Sequence, residues 1–147
     1  MVAKAKLVNK ALQNVWQNMP LEGLRPPGYC RIVVAGVGGA GNNTLSRLME
    51  MGMSGAETIA INTDALHLNA THAVQRMLIG EKLTRGLGSG GNPSIGRAAI
   101  EESRKRIEEL LTDADIVFVT AGLGGGTGSG AAPIVAEIAK RKGAITV

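Results

Sequence analysis

Six of the thirteen residues from Ala121 to Pro133 are glycine, and none of the thirteen is charged. An apolar run, Ile116 to Thr120, enters this stretch, and a helical pattern from Ile134 to Lys142 leaves it. Strand, glycine-rich turn and helix in that order aim several backbone N–H groups at one point, which suits an anion such as phosphate. Glycine lets the backbone come close to an oxygen-rich group. Thr127 and Ser129 add hydroxyls. A flexible linker would not be flanked so closely by a strand and a helix. A Cβ at Gly126 is expected to block the phosphate, so Gly126→Val should abolish binding.

Two further stretches have the same character. Gly36-Val37-Gly38-Gly39-Ala40-Gly41-Asn42-Asn43 follows the buried-type run Ile32 to Ala35. Gly36, Gly38 and Gly41 match the dinucleotide fingerprint GxGxxG, a weak signal alone. That fingerprint wants an acid about 20 residues on. Asp64, after Asn62 and Thr63, comes 23 residues beyond Gly41, somewhat late. A second glycine-rich phosphate loop does not belong to that fingerprint either. The third stretch, Gly80 to Pro93, contains Gly86, Gly88, Gly90 and Gly91 and reads as a long loop, a common place for function. No lysine lies in 38–43 or 122–130, which excludes a GxxxxGK[ST] phosphate loop. Backbone dipoles, helix N-termini and a metal ion must then offset phosphate charge.

Other chemistry is thinly represented. His67 and His72 sit five apart, off one helical face, with no Cys or Glu at metal spacing, so both read as surface or packing residues. Cys30 is the single cysteine; it reads as a small buried hydrophobe in a cytosolic protein. One Phe, one Trp and one Tyr cannot build a stacking platform for bases. Three of the four net positive charges fall in residues 1–27, so the basic pI of 9.6 does not mark a nucleic-acid face. No apolar run approaches a membrane span, and the N-terminus lacks a signal-peptide core.

The elements that position these loops follow from periodicity. Residues 3–18 read as an amphipathic helix with a Val8, Leu12, Val15, Met19 stripe, docked on its own domain or on a neighbouring subunit. A Pro-rich linker ends this first region at residue 28. The pattern predicts strands near 31–37, 57–62, 75–79, 115–120 and 144–147. It places helices at 43–51, 65–70, 94–111 and 134–142. Asn92 reads as an N-cap with Pro93 at the first helical position. Glu101 with Lys105, and Glu102 with Arg106, read as i,i+4 pairs on a solvated face. Strand and helix alternation predicts one parallel sheet in order 3-2-1-4-5, with helices on both faces and the loops gathered at its carboxyl edge.

Gly124 to Gly130 reads GGGTGSG and resembles the phosphate signature of the tubulin/FtsZ GTPases, the prokaryotic FtsZ branch more than eukaryotic tubulin. The resemblance runs from about Arg31 to Val147 through several separate motifs. It implies an α/β, Rossmann-like GTPase domain, here its N-terminal portion over 29–147, ending in the fifth strand. It implies that Gly38, Gly39, Ala40, Gly41, Asn42 and Asn43 form a first nucleotide loop, Ala40 standing where glycine is common. Asn62, Thr63 and Asp64 would form a second, with Asp64 near a metal and the terminal phosphate. Gly88 and Asn92 would lie on the loop that senses that phosphate. Gly122, Gly124, Gly125, Gly126, Thr127, Gly128 and Ser129 would form the phosphate signature. By the same resemblance the ligands are GTP or GDP with Mg2+, and the partners are further FtsZ-like subunits in a homopolymer. The place is the cytoplasm at the division ring of the septum. Catalytic acids would lie beyond Val147, so none is expected here. A non-catalytic nucleotide-binding or regulatory module resembling half of such a domain is the alternative.

Overall fold

The computed structural model describes residues 28–147. The helix and linker expected within 3–27 lie outside the described residues. Strand β1 (Ile32–Val37) runs along the middle of the sheet. Its side chains alternate, with Val33, Ala35 and Val37 fully buried on one face. It is followed by α1 (Gly38–Glu50), β2 (Glu57–Asn62), α2 (Ala65–Ala70) and β3 (Gln75–Leu78). Then come α3 (Glu81–Thr84), α4 (Pro93–Glu102), α5 (Arg104–Leu110), β4 (Ile116–Ala121), α6 (Gly126–Arg141) and β5 (Ile145–Thr146). The sheet order is β3-β2-β1-β4-β5, parallel throughout, as the alternation predicts.

Register brings the loops together. Val37 lies beside Ile61 on one side and Ala121 on the other, so β1, β2 and β4 end at one level. The larger core packs Val33, Val37, Ile61 and Val117 against Ile100, Ile107, Val135 and Ile138 of the helices on one face. Each such side chain contributes roughly 1.5–3 kcal/mol of burial. A smaller cluster of Leu45, Ala60 and Leu68 sits on the other face under α1 and α2. Among the described residues, that second face is incompletely covered. Ile116 is in register with Ile145, and Phe118, two residues on, shares its side of β4. Phe118 and Ile145 are exposed there.

Several local expectations are corrected. Helix α1 begins at Gly38 and not at Asn43, and α6 begins at Gly126 and not at Ile134. Glycine is a poor helix former, so both runs read as loop. Here it permits contact: a Cβ on Gly41 would strike the Thr120 carbonyl, and one on Gly96 would strike the Gly126 carbonyl. Pro133 falls inside α6. The stretch 80–93 is not structureless. It holds α3, and Ala65 N–H to Gly86 O at 2.9 Å with Gly88 N–H to Thr63 O at 3.1 Å lace it to the end of β2. The helix expected over 94–111 breaks at Ser103. Glu101 pairs with Arg104 at 2.7 Å instead of Lys105, and a Glu102 oxygen accepts the Lys82 N–H at 3.3 Å. Cys30 is exposed, because the strand begins only at Ile32.

At the amino edge of the sheet, Arg31 acts as a clasp. Its guanidinium meets Glu57 at 2.7 Å and donates to the Thr112 carbonyl at 2.6 Å and the Leu110 carbonyl at 3.2 Å. The Glu57 carboxyl is held below its usual range, mainly by that hydrogen bond and against the cost of its partial burial.

Candidate functional site

A cavity of about 400 Å³ opens at the carboxyl edge. Its walls are Val37, Gly39, Ala40, Ser89, Gly122 and Gly124 to Gly128. None of these side chains is charged. Two helices begin in this wall. Helix α1 starts after Val37 and α6 after Gly125, and neither N-terminus has a side-chain cap. The neighbouring α2 and α4 are capped, by Asp64 accepting from His67 N–H and by Asn92 accepting from Ser94 N–H, each at 2.9 Å. Uncapped first-turn N–H groups seek acceptors, and the helix dipole makes that end positive. Lys140 and Arg141 sit in the last turn of α6, at its negative end.

Three hydroxyls tie the loops around the cavity together. Thr127 Oγ1 lies 2.7 Å from Thr63 Oγ1 and 3.0 Å from Ser89 Oγ. All three residues are buried. The end of β2, the 86–92 loop and the start of α6 are thereby held at fixed separations. Backbone closeness adds to this. A Cβ on Gly38 would lie 2.8 Å from Gly128 N, and Gly38 takes φ +72°, open to glycine.

A second polar chain runs along the rim. Asn62 Oδ1 accepts the Thr63 N–H at 2.9 Å, and its Nδ2 donates to His67 Nδ1 at 3.2 Å. His67 Nε2 then meets Asn43 Oδ1 at 3.0 Å. Asn42 beside Asn43 in sequence is fully buried, and among the described residues neither atom of its amide has a hydrogen-bond partner.

The structure thus brings most expected residues to one edge, in different roles. Gly39, Ala40, Gly122, Gly124, Gly125, Gly126, Thr127 and Gly128 line the cavity. Gly38 and Gly41 instead seat α1 against α6 and β4. Thr63 supports from behind, Asp64 and Asn92 cap helices, and Gly88 N–H bonds the Thr63 carbonyl. Ser129 faces a separate hollow with Ser94 and Arg97. A Cβ on Gly126 would meet Ser89 Oγ and lie 2.6 Å from Asn92 N, so valine there would pry two loops apart and not simply block a phosphate. Sequence reasoning passed over Ser89, although it stands between two residues that were chosen. It also read His67 as an ordinary surface or packing residue. Among the described residues, no three His, Cys, Asp or Glu side chains gather to hold a metal.

Residues 31–147 match the GTPase domain of the tubulin/FtsZ family. The chain belongs to that family. Cell division protein FtsZ 2 of Methanocaldococcus jannaschii is 63% identical over 120 residues, which cover 82% of this chain and 32% of that protein. A solved FtsZ dimer from M. jannaschii aligns with a TM-score of 0.77 at 51% identity, over 92% of this chain and 37% of that one. CetZ2 of Haloferax volcanii, solved as a GTPγS-bound protofilament, aligns at 0.64 and 32% identity, over 73% and 35% of the two chains. The chain therefore spans about a third of the length of the curated relatives it matches. The parallel sheet and its helices are the FtsZ-type GTPase fold, and no described helix is long and apolar enough to cross a membrane.

Proposed function

We propose that this chain forms the phosphate-holding half of a guanine-nucleotide site, and that the complete protein is a self-assembling GTPase of cell division. The observation that carries the reading is the pair of uncapped helix N-termini in the wall of one uncharged cavity. Backbone donors supply there what a P-loop lysine supplies elsewhere. Guanine over adenine comes from the family likeness alone. Mg2+ would neutralise phosphate charge. The residues present suit an ion held chiefly by phosphate oxygens and water, with Asp64 as the nearby carboxylate. Among the described residues no acid lines the cavity, so the chain by itself should bind nucleotide without appreciable hydrolysis. Filament partners would be further copies of the complete protein, at the cytoplasmic division ring.

The test is a titration of the 147-residue chain with fluorescent GDP and GTP analogues, with and without magnesium, followed by competition with inorganic tripolyphosphate. Binding that tripolyphosphate displaces, with no steady phosphate release, is the expected result. Nucleotide binding indifferent to tripolyphosphate would overturn the phosphate reading. Steady magnesium-dependent phosphate release would show that hydrolytic machinery lies within these residues.

A further inference from the structure

We infer that His67 is a positioning residue that fixes which end of the Asn43 amide faces a bound nucleotide. The inference rests on the nucleotide reading above and adds a residue to it. Each step follows from hydrogen-bond polarity. Asn62 Oδ1 accepts from Thr63 N–H at 2.9 Å and Asp64 N–H at 3.4 Å, which pins the Asn62 amide with Nδ2 pointing away. Nδ2 only donates, so His67 Nδ1 must accept at 3.2 Å. A neutral imidazole that accepts at Nδ1 carries its proton on Nε2. That Nε2–H donates to Asn43 Oδ1 at 3.0 Å. Were the Asn43 amide reversed, two donors would face each other. The backbone at the end of β2 therefore sets the orientation of a side chain on α1, through one imidazole.

The consequence lies at the cavity. The His67 ring is 4.0 Å from where a Cβ of Gly39 would stand, so it borders a lining residue. Asn43 is exposed, one helical turn from the lining residue Ala40. With Oδ1 taken by His67, Asn43 presents its Nδ2 group, which no side chain or carbonyl of the described residues accepts from. The position selects an acceptor on the nucleotide, a ring nitrogen or an oxygen, and rejects a donor. Without His67 neither the orientation nor the position of that amide is held.

The experiment is a double-mutant cycle on the 147-residue chain, read as the Kd for a fluorescent GDP analogue. His67→Phe keeps a flat ring and removes both hydrogen bonds; it should weaken binding about tenfold, the equivalent of one hydrogen bond. His67→Gln can accept from Asn62 and donate to Asn43, and should stay within about threefold of wild type. Asn43→Ala should weaken binding as His67→Phe does, and adding His67→Phe to it should change little more. A merely structural role for His67 would instead give additive losses and no rescue by glutamine, and either result overturns the inference. Imidazole 15N spectra of the unmodified chain give an arm that needs no variant to fold. The Nε2–H tautomer is expected, and the Nδ1–H tautomer overturns the inference. Absence of nucleotide binding by the wild-type chain removes the reading beneath it and this role with it. Intact wild-type binding with an additive cycle removes only the role of His67.

Discussion

Thr63 and Thr127, 64 positions apart, share a 2.7 Å contact between buried hydroxyls. With Ser89 at 3.0 Å from the same Thr127 oxygen, one side chain holds three chain segments. Thr127→Val keeps the shape and removes the hydroxyl, leaving the Thr63 and Ser89 hydroxyls without this partner. The expected cost is about 1–3 kcal/mol, the penalty for stranding buried polar groups. Urea unfolding measures it. Thr127→Ser, which keeps the oxygen, should lose less than Thr127→Val. Equal stability of the wild type and the valine variant would show the triad to be incidental.

Neighbouring glycines should behave differently. A Cβ on Gly125 meets nothing within 4 Å, and its backbone is extended at φ −101° and ψ 174°, which valine adopts readily. Gly125→Val should keep the melting temperature while filling space at the N-terminus of α6, and nucleotide affinity should fall at least about tenfold. Gly126→Val should lower the melting temperature as well, because its side chain lands among Ser89, Gly91 and Asn92. Paired melting curves and titrations separate the two. Unaltered affinity in Gly125→Val would remove that N-terminus from the ligand's path.

The Arg31–Glu57 clasp should give stability an acid limb. Arg31 lowers the Glu57 carboxyl below its unfolded value. A depressed carboxyl binds fewer protons folded than unfolded. Its contribution is therefore full above the unfolded value, near pH ~4.3, and fades as pH falls through the lower folded value. The pair is partly exposed, at 17% and 34%, so its worth is about 1 kcal/mol or less. Unfolding free energies of the wild type and Glu57→Gln should differ by a constant amount near neutrality and converge in acid. A gap that persists below pH ~3 would assign the difference to packing.

The side of β4 and β5 that the described helices leave open should govern self-association of this chain. Phe118 is 41% exposed and Ile145 66%. Both lie on the face that α1 and α2 leave open. Phe118→Thr keeps a strand-compatible residue and removes most of the apolar area. Sedimentation velocity across a concentration series should show less association than in the wild type. No change would place any association elsewhere.

Strand identity and order were readable because β1, β2 and β4 are short apolar runs between glycine-rich turns, and the right-handed crossover rule leaves few topologies. The starts of α1 and α6 were hidden for a related reason. Glycine at 38, 41, 126, 128 and 130 looks locally like loop, whereas here it admits a neighbouring carbonyl or amide into the helix surface. The break at Ser103 carries no proline or glycine to mark it. His67 escaped because a lone histidine was weighed for metal spacing, and its partners come from β2 and α1, 5 and 24 residues away. Cys30 misled because apolar character was taken as burial, although the strand starts two residues later.

The central position of β1 has a consequence in time. Its partner on one side, β4, is separated from it by residues 38–115, so a ribosome finishes β1 long before β4 exists. At about 5–20 residues per second that interval is roughly 4–16 s. Throughout it the nascent chain carries an unpaired parallel edge in the middle of its future sheet, an invitation to wrong pairing that only the last third of these residues withdraws. The cavity itself comes later still, when α6 emerges and Thr127 reaches Thr63. A ligand held there would thus meet a chain whose β1 is already paired on both sides, and would act as a seal on the meeting of β1 and β4 rather than as a template for it.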